Sequence, residues 1–260
     1  MTTIPPVVPP LPIERHYARN LAPGAAFEWL RAGWRDLTAN PGPSLLYGFF
    51  VFLLSAGIVA GLIWLAWDYA LFPAIAGFLV FAPALAIGLY DKSRALERGE
   101  PVSLRHMLLP HARAGGQVLF IGALLCGVML LWMRAAVIIY ALFFGVRPFP
   151  GIDHIAPMLF TSSTGIAMLV VGTLIGGLFA AFSFAISAFS IPMMLDQRVD
   201  ALTAMGTSWA LVWNNLQVML LWGALVLTLF LLSVATGFVG LIIVFPWLGH
   251  ATWHAYRAVR

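Results

Sequence analysis

Long apolar runs separated by short polar stretches make up most of the chain. Six of the runs reach the roughly 20 residues that a helix needs to cross a hydrocarbon layer about 30 Å thick. They cover residues 45–67, 70–90, 118–144, 165–195, 216–234 and 238–256. Lipid offers no partner for backbone N–H and C=O groups, and the runs lack the alternating pattern of a membrane barrel, so we expect helices. The pattern predicts an all-α fold, a polytopic membrane bundle with six transmembrane helices.

The start of the chain has a different character. Residues 1–23 contain no apolar run, and five of the first twelve residues are prolines. This composition predicts a Pro-rich, mobile cytoplasmic tail rather than a signal peptide, which carries its apolar region near the start. Residues 24–260 are then predicted to form a single six-helix membrane domain.

The composition supports a membrane protein and excludes other classes. Hydrophobic residues make up 62% of the 260 residues and charged residues only 9%, whereas about a quarter of the residues in a soluble domain are charged. A soluble globule cannot hide this much apolar surface, and intrinsic disorder requires the opposite composition. The single cysteine excludes a disulfide framework. No residue pattern indicates a cofactor.

Basic residues are distributed unevenly between the two sides of the predicted bundle. Twelve lie on the side that carries both termini, and Arg147 alone lies in a loop on the other side. Because basic residues accumulate in cytoplasmic loops, we predict a multi-pass protein of the bacterial inner membrane with both termini cytoplasmic. The net charge of +4 then reflects topology, and we expect the lipid bilayer, not nucleic acid, as the partner of this charge.

Two segments displaced by 175 residues share a pattern. Apolar residues in each fall at i, i+3, i+7 and i+10, which is one face of an α-helix, and an asparagine follows before the next run. The residues are Phe27, Leu30, Trp34 and Leu37 in one segment, and Leu202, Met205, Trp209 and Val212 in the other. We predict that they anchor interfacial helices near residues 24–40 and 200–215. A weaker echo at a displacement of 100 residues, which matches Arg98 with Arg198, indicates three units, each an interfacial helix followed by a spanning hairpin. Chance similarity is the alternative.

Arg134 is the one charged residue inside a predicted spanning run. A charge in the membrane is costly unless its side chain reaches the interface or finds a partner. One interpretation is a structural anchor, paired with Asp68 or Asp153. The other is part of a ligand or ion pathway.

Two sets of residues have the spacing of metal ligands. His250 and His254 lie four residues apart in the last run, and Cys126, Met129 and Met133 fall at i, i+3 and i+7 of the third. One helix face could present each set to a metal, and soft sulfur ligands favour Cu(I). Two histidines do not complete a site, and methionine commonly fills irregular packing. The sequence therefore predicts no metal.

Small residues recur at intervals of four within the runs, a spacing that lets helices approach closely. Packing inside the bundle is one explanation, and a contact face toward another subunit is the other. The residues are Gly57 with Gly61, Ala84 with Gly88, Gly172 with Gly176, and the series Gly177, Ala181 and Ala185.

Two stretches carry a family resemblance. They are residues 29–37 (WLRAGWRDL) and residues 81–90 (FAPALAIGLY), the second followed by Ser93-Arg94 and by Glu97-Arg98-Gly99. Together with the Pro-rich start, they resemble a family of uncharacterised bacterial integral membrane proteins, and the likeness extends over nearly the whole chain. The family is a domain of unknown function and implies no site residues. Some of its members carry a label as cytochrome c oxidase subunits.

These observations favour a non-enzymatic accessory, scaffold or assembly partner of another membrane complex, with a respiratory oxidase as one candidate. The chain has many helix-packing faces and little polar chemistry in its predicted core. The occupant of those faces is either another membrane protein or a second copy of the chain. A small-solute transporter or channel is the alternative, favoured by the repeat and by Arg134. Enzymatic activity is unsupported, because phosphate-binding loops and known hydrolase motifs are missing from the sequence.

Overall fold

Helices form nearly all of the described chain. The computed structural model describes residues 17–108, 115–145 and 149–260, so residues 1–16 of the predicted tail lie outside the described residues. No strand occurs within these ranges, and the prediction of an all-α fold is confirmed. The helices are α1 (Ala25–Ala39), α2 (Pro41–Trp64), α3 (Leu71–Leu85), α4 (Ile87–Glu97), α5 (Leu104–Leu108), α6 (Gly115–Phe144), α7 (Ile152–Thr161), α8 (Ser163–Ser187), α9 (Ser190–Asp196), α10 (Ala201–Asn214), α11 (Leu216–Ala235) and α12 (Leu241–Val259).

Five stretches of the described chain are long and apolar enough to cross a membrane. They are Pro41–Trp64, Leu71–Glu97, Gly116–Phe144, Ser163–Asp196 and Leu216–Ala235. The predicted count of six is therefore corrected to five. The sixth run, residues 238–256, corresponds to α12, whose second half is made polar by His250, Thr252, His254 and Arg257.

The C-terminal end of α12 lies beside the first described residues of the chain. Arg19 Nε donates to the carbonyl O of Val259 at 2.7 Å. Asn215, between α10 and α11, donates through Nδ2 to the carbonyl O of Tyr17 at 2.8 Å. The two described ends of the chain therefore lie together.

The second and fourth spans are each interrupted near a proline. The second is divided into α3 and α4 at Ala86, three residues after Pro83, and the fourth into α8 and α9 at Ala188 and Phe189. Proline has no N–H to donate, so Pro192 leaves the carbonyl of Ala188 without its helical partner. The interruptions separate an apolar helix from a shorter, more polar one in each span.

The core lies at one end of the bundle. Large side chains there, including Tyr90, Trp253 and Tyr256, are fully buried, and every residue of α9 is buried. Toward the opposite end, long apolar side chains such as Trp64 and Leu142 are exposed, as expected of surfaces that meet lipid. We call the buried end the basic end. It comprises α9, the second half of α4 and the C-terminal half of α12, and carries Lys92, Arg94, Arg98, Arg257 and Arg260.

Helices occupy both segments predicted to be interfacial, namely α1 and α10. The last residue of each pattern, Leu37 or Val212, is buried, whereas the tryptophan, Trp34 or Trp209, is exposed. The remaining pattern residues are Phe27 and Leu202, which are exposed, Leu30, which is buried, and Met205, which is half-buried. The corresponding positions of the two helices thus have similar environments.

Three of the shorter helices pack against neighbouring helices of the bundle. α1 packs along α12, α5 against α4, and α10 against α8 and α9. Among the long helices, α2 packs along α12 and α6 packs along α3, whereas α8 and α11 make at most marginal contact. We call the resulting opening between α8 and α11, beside α10, the seam.

Candidate functional sites

Helices α1 and α2 approach α12 closely because glycines lie at their contacts with it. A Cβ at Gly33 of α1 would lie 2.5 Å from the backbone N of Ala251 on α12. A Cβ at Gly48 of α2 would lie 2.3 Å from the carbonyl O of Ile242, also on α12. Neither position accepts a side chain without displacement of the neighbouring backbone. Asn40 alone separates α1 from α2, so both helices are held against α12.

Buried polar side chains fill the space between these helices. Lys92 Nζ donates to the carbonyl O of Asn40 at 2.5 Å and to Ser44 Oγ at 2.8 Å. Ser44 Oγ lies 2.9 Å from His250 Nε2, and His250 Nδ1 lies 2.8 Å from Ser93 Oγ. Lys92 is only 1% exposed, and the other three side chains are fully buried. Every ring nitrogen of His250 is therefore satisfied by a serine hydroxyl.

Asp36 extends this set of hydrogen bonds toward the surface. Its carboxylate bonds with Ser93, and its Oδ2 lies 2.8 Å from His254 Nε2. Burial acts to raise the pKa of the Asp36 carboxyl, but the hydrogen bonds with His254 and Ser93 outweigh it, so the pKa lies below its ordinary value. The ionised carboxylate also stabilises the positive charge of Lys92. We call Asp36, Ser44, Lys92, Ser93, His250 and His254 the polar network.

The polar network joins α1, α2, α4 and α12 by hydrogen bonds between groups distant in sequence. Buried polar groups are costly when unpaired, and a satisfied network fixes one arrangement of its helices. The hydrogen bonds of the polar network therefore hold α12 in register with α2 and α4.

Asp196 is the centre of a second polar cluster at the basic end. Its carboxylate pairs with Arg98 Nη2 at 3.5 Å and Arg260 Nη1 at 2.6 Å. The hydroxyl of Tyr256 donates to Asp196 Oδ2 at 3.1 Å and accepts from Gln197 Nε2 at 3.1 Å. These contacts tie α9 to α4 and to the end of α12. Arg257 Nε and Glu97 Oε2, 3.3 Å apart, join α12 to α4 nearer the solvent.

The two histidines proposed as metal ligands have different partners. His250 bonds to serines of α2 and α4, whereas His254 bonds to Asp36 of α1. Cys126 is exposed, while Met129 and Met133 are half-buried, Met129 lying against Gly77 of α3. Within the described ranges, no group of three or more His, Cys, Asp or Glu side chains is arranged to hold a metal.

Arg134 lies on α6 with its side chain exposed. Its two proposed partners, Asp68 and Asp153, lie outside the residues whose side chains are described. The interpretations of Arg134 as an anchor or as part of a pathway remain predictions.

The small residues singled out in the sequence fall into two groups. At Gly88, an added Cβ would lie 2.1 Å from the carbonyl O of Met107, and at Gly176 it would lie 2.8 Å from the ring of Trp132. Ala84 packs against the core, Ala185 is buried, and Ala181 lines the seam. At Gly57, Gly61, Gly172 and Gly177 an added Cβ would meet nothing within 4 Å. Apart from Ala181, which lines the seam, the first group faces the chain itself, and the second faces open space.

The seam contains an apolar cavity of about 650 Å³. Its α8 wall includes Leu178 and Ala185, and its α11 wall includes Gly223 and Leu227. Trp213 of α10 lies at its base and stacks on Trp209, with ring centroids 6.3 Å apart and planes at 4°. The cavity thus opens between two spans, and the tryptophans of α10 form part of its lining.

A comparison with known families covers the middle of the chain. Residues 71–196, from α3 to α9, match the model of a family described as "Predicted integral membrane protein (DUF2189)". This region of the chain is therefore similar to that family. The match includes residues 81–90 but not residues 29–37, so the expected likeness over nearly the whole chain is corrected to just under half. Neither a curated protein nor a solved structure matches the chain.

Sequence reasoning missed the polar network except for its two histidines. Asp36 and Ser93 lie in the stretches that carry the family resemblance but were given no site role, Ser44 was not singled out, and Lys92 is one of the twelve basic residues on the side of the termini. One signal was present, because Lys92 is the single lysine among fourteen basic residues. An ammonium group donates three hydrogen bonds from a point, which suits a buried site that the planar guanidinium of arginine does not fit.

Proposed function

We propose that this integral membrane protein is a non-enzymatic accessory that packs against another membrane protein. The proposal is carried by the glycines that face open space, Gly57 and Gly61 on α2, and Gly172 and Gly177 on α8. Small residues promote helix association in lipid because they let backbones approach closely. Since no described residue of this chain lies within 4 Å of a Cβ added at these glycines, the proposed function assigns to them a helix of another chain.

The exposure of the spans agrees with this role. Only 17 to 28% of the residues in the apolar windows of the five spans are buried within the chain. The remaining surface meets lipid or another protein. Exposed apolar surface alone is normal for a membrane helix, so it supports the proposal only in combination with the open glycines.

We also propose that the basic end faces the cytoplasm of a bacterial inner membrane. Both described chain ends lie at this end, together with the arginines that surround Asp196. Basic residues are retained on the cytoplasmic side of membrane proteins. A respiratory oxidase is one candidate for the partner, on the family labels alone.

The alternative, a small-solute transporter or channel, requires a path through the bundle. Parallel repeats and interrupted spans are features of transporters, and both the second and fourth spans are interrupted. Of the two cavities described, one has a lining of polar and apolar residues and lies beside Lys92 and Glu100, and the other is the seam. Arg134 lines neither of them. The open glycines therefore favour the accessory role.

Purification in mild detergent tests the proposal directly. We expect the wild-type chain to carry a membrane protein at fixed stoichiometry. The double substitution Gly57→Ile/Gly61→Ile should reduce that protein about tenfold or more, because a lost helix contact of 1.4 kcal/mol already gives this factor. Gly122→Ile on α6 is the matched control, since Gly122 is equally open but is followed four positions later by Cys126 rather than by a second glycine.

Two results would contradict the accessory role. One is a wild-type chain that purifies alone under every mild detergent condition and then moves solute across the membrane of liposomes. The other is a partner whose amount is the same in the wild type, the double variant and the control, because the open glycines of α2 would then have no part in its binding.

A further inference from the structure

The polar network contains an unbroken chain of hydrogen bonds between a buried cation and a carboxylate near the surface. Ser44 Oγ lies 2.8 Å from Lys92 Nζ and 2.9 Å from His250 Nε2. Ser93 Oγ lies 2.8 Å from His250 Nδ1 and bonds with Asp36. Hydroxyl, imidazole, amine and carboxyl groups all exchange protons with hydrogen-bonded neighbours. The chain therefore has a proton-exchanging group at every position from Lys92 to Asp36.

All four hydrogen bonds donate in the same direction, from Lys92 toward Asp36. An ammonium group only donates and a carboxylate only accepts, which fixes the two ends. The buried ring of His250 is neutral, because burial and the charge of Lys92 both disfavour its protonated form, so it carries one N–H. Ser93 donates its hydroxyl proton to Asp36 and therefore accepts from Nδ1–H of His250. Nε2 is then left to accept from Ser44, which accepts in turn from Lys92.

Both ends of this chain of hydrogen bonds lie close to water. Lys92 is only 1% exposed but lines a cavity of about 330 Å³, whose wall includes the exposed residues Glu100 and Ser103. At the other end, the side chains of Asp36 and His254 are 17% and 22% exposed. Hydrogen bonds that only held helices together would require neither a common direction nor water at both ends.

We propose that the polar network is a proton relay between Lys92 at the cavity and Asp36 at the surface, an activity that goes beyond the accessory role and does not depend on it. One transfer breaks an N–H bond of Lys92 and forms an O–H bond on Asp36. Ser44 takes the proton of Lys92 and passes its own hydroxyl proton to Nε2 of His250. Ser93 takes the Nδ1 proton of His250 and passes its own hydroxyl proton to Asp36. The products are a neutral amine, a carboxylic acid and the other tautomer of His250, and the reverse transfer restores both charges.

The charges around the relay leave Lys92 and Asp36 as the pair that it changes. The charge of Lys92 is balanced by Asp36, and His250 is influenced by these two groups and by His254. The sequence of α2 contains no acidic or basic residue. The other charged groups on the joined helices are paired or exposed: Asp91 pairs with Arg94, Glu97 with Arg257 and Arg98 with Asp196, and Glu28, Arg31 and Arg35 are exposed.

Nuclear magnetic resonance of the full chain in detergent micelles tests the relay. Lys92 is the single lysine, so ¹⁵N-labelled lysine gives one side-chain signal, from which the exchange rate of the Nζ protons with water is measured. Ser93→Ala interrupts the relay without removing a charge and should slow this exchange about tenfold or more, since positioned proton donors and acceptors commonly contribute larger factors. Asp36→Asn, which keeps the size of the side chain but cannot take up the proton, should slow it as well. Ser55→Ala is the matched control and should exchange at the wild-type rate, because Ser55 is a buried serine of α2 that bonds only to its own helix at Val51.

Exchange at the wild-type rate or faster in either variant would overturn the relay, because Lys92 would then exchange directly through the cavity or by local opening. Tryptophan fluorescence establishes that each variant is folded, and Asp36→Asn alone decides if Ser93→Ala does not fold. Labelling with ¹⁵N-histidine adds an independent test, in which the signals that change in Ser93→Ala identify the ring of His250. We expect its proton on Nδ1, and a proton on Nε2 or on both nitrogens would remove the common direction on which the relay depends.

Discussion

Two junctions of the bundle differ at glycines that lie 175 positions apart in the sequence. The junction of α2 with α12 at Gly48 is closed, whereas the seam beside Gly223 is open. Each glycine lies on the long helix that follows an amphipathic helix, α1 in one case and α10 in the other. At the closed junction, Ser44 lies one turn before Gly48 and joins the polar network through Lys92 and His250. At the seam, the position 175 residues after Ser44 is Met219, which has no hydrogen-bonding group to offer α8. The difference indicates that small residues permit close helix packing, and that buried hydrogen bonds fix it.

Removing the cation of the closed junction should have the largest effect. Lys92→Met leaves two acceptors, the part-buried Asn40 O and the buried Ser44 Oγ, without their donor. Each unsatisfied buried group costs about 1–3 kcal/mol, so the free energy of unfolding should fall by about 3 kcal/mol or more. Unfolding in mixed detergent micelles, followed by tryptophan fluorescence, measures this change. Arg257→Met is the control, because Arg257 is 41% exposed in its pair with Glu97, and such pairs contribute about 0–1 kcal/mol. Equal effects of the two substitutions would contradict a clamping role for the polar network.

Adding one methyl group at each glycine compares the junctions directly. Gly48→Ala should lower the free energy of unfolding by about 1–3 kcal/mol, because the new Cβ displaces the backbone of α12. Gly223→Ala should be neutral or stabilising by up to about 1 kcal/mol, since alanine is the better helix former and the space is open. The same unfolding measurement checks both variants. Loss of stability in Gly223→Ala would show that α8 closes on α11 in the folded protein.

Much of the fold could be predicted because apolar length alone determines which segments span lipid. Five of the six runs agree with candidate spans, and the segments 24–40 and 200–215 are indeed helical. The overcount arose at α12, because residues 238–256, including His250, were predicted to form a spanning helix. Its polarity is accommodated by Ser44 and Ser93, residues that no local pattern connects to it.

The candidate sites were much less accessible to sequence reasoning. The polar network depends on pairs separated by 48 to 218 residues, and periodicity carries no information on such pairs. The seam depends on which long helices are neighbours, which the runs themselves do not specify. The small residues were recognisable, but Gly88 and Gly57 look alike in sequence although one meets Met107 and the other open space.

The hydrogen bonds that attach α10 to the end of α8 test the open junction with a smaller expected change in stability. Ser208 Oγ donates to the carbonyl O of Ala185 at 2.7 Å and accepts from the backbone N of Phe189 at 3.1 Å. Ser208→Ala leaves the buried N–H of Phe189 unpaired, at a cost of about 1–2 kcal/mol in the free energy of unfolding. Thr228→Ala on α11 is the control, because its exposed hydroxyl bonds only to its own helix at Ala224. If both variants match the wild type in the micelle assay, Ser208 does not secure α10.

Protonation of Asp36 should change the free energy of unfolding less than the other substitutions do. It tests the part of the polar network that lies nearest the surface. The pKa of Asp36 is lower in the folded protein than its ordinary value of 3.8, owing to its bonds with His254 and Ser93. The unfolded chain therefore takes up the proton first as the pH falls, so the stabilisation is complete above about pH 5 and is lost as the pH falls through the folded pKa. Other carboxylates titrate in the same range, so the informative quantity is the difference in unfolding free energy between the wild type and Asp36→Asn. We expect this difference to shrink between pH 5 and pH 3, because only the wild type loses an ionised partner for His254 there. A difference that stays constant or grows toward pH 3 would show that Asp36 is not held as an anion by the network.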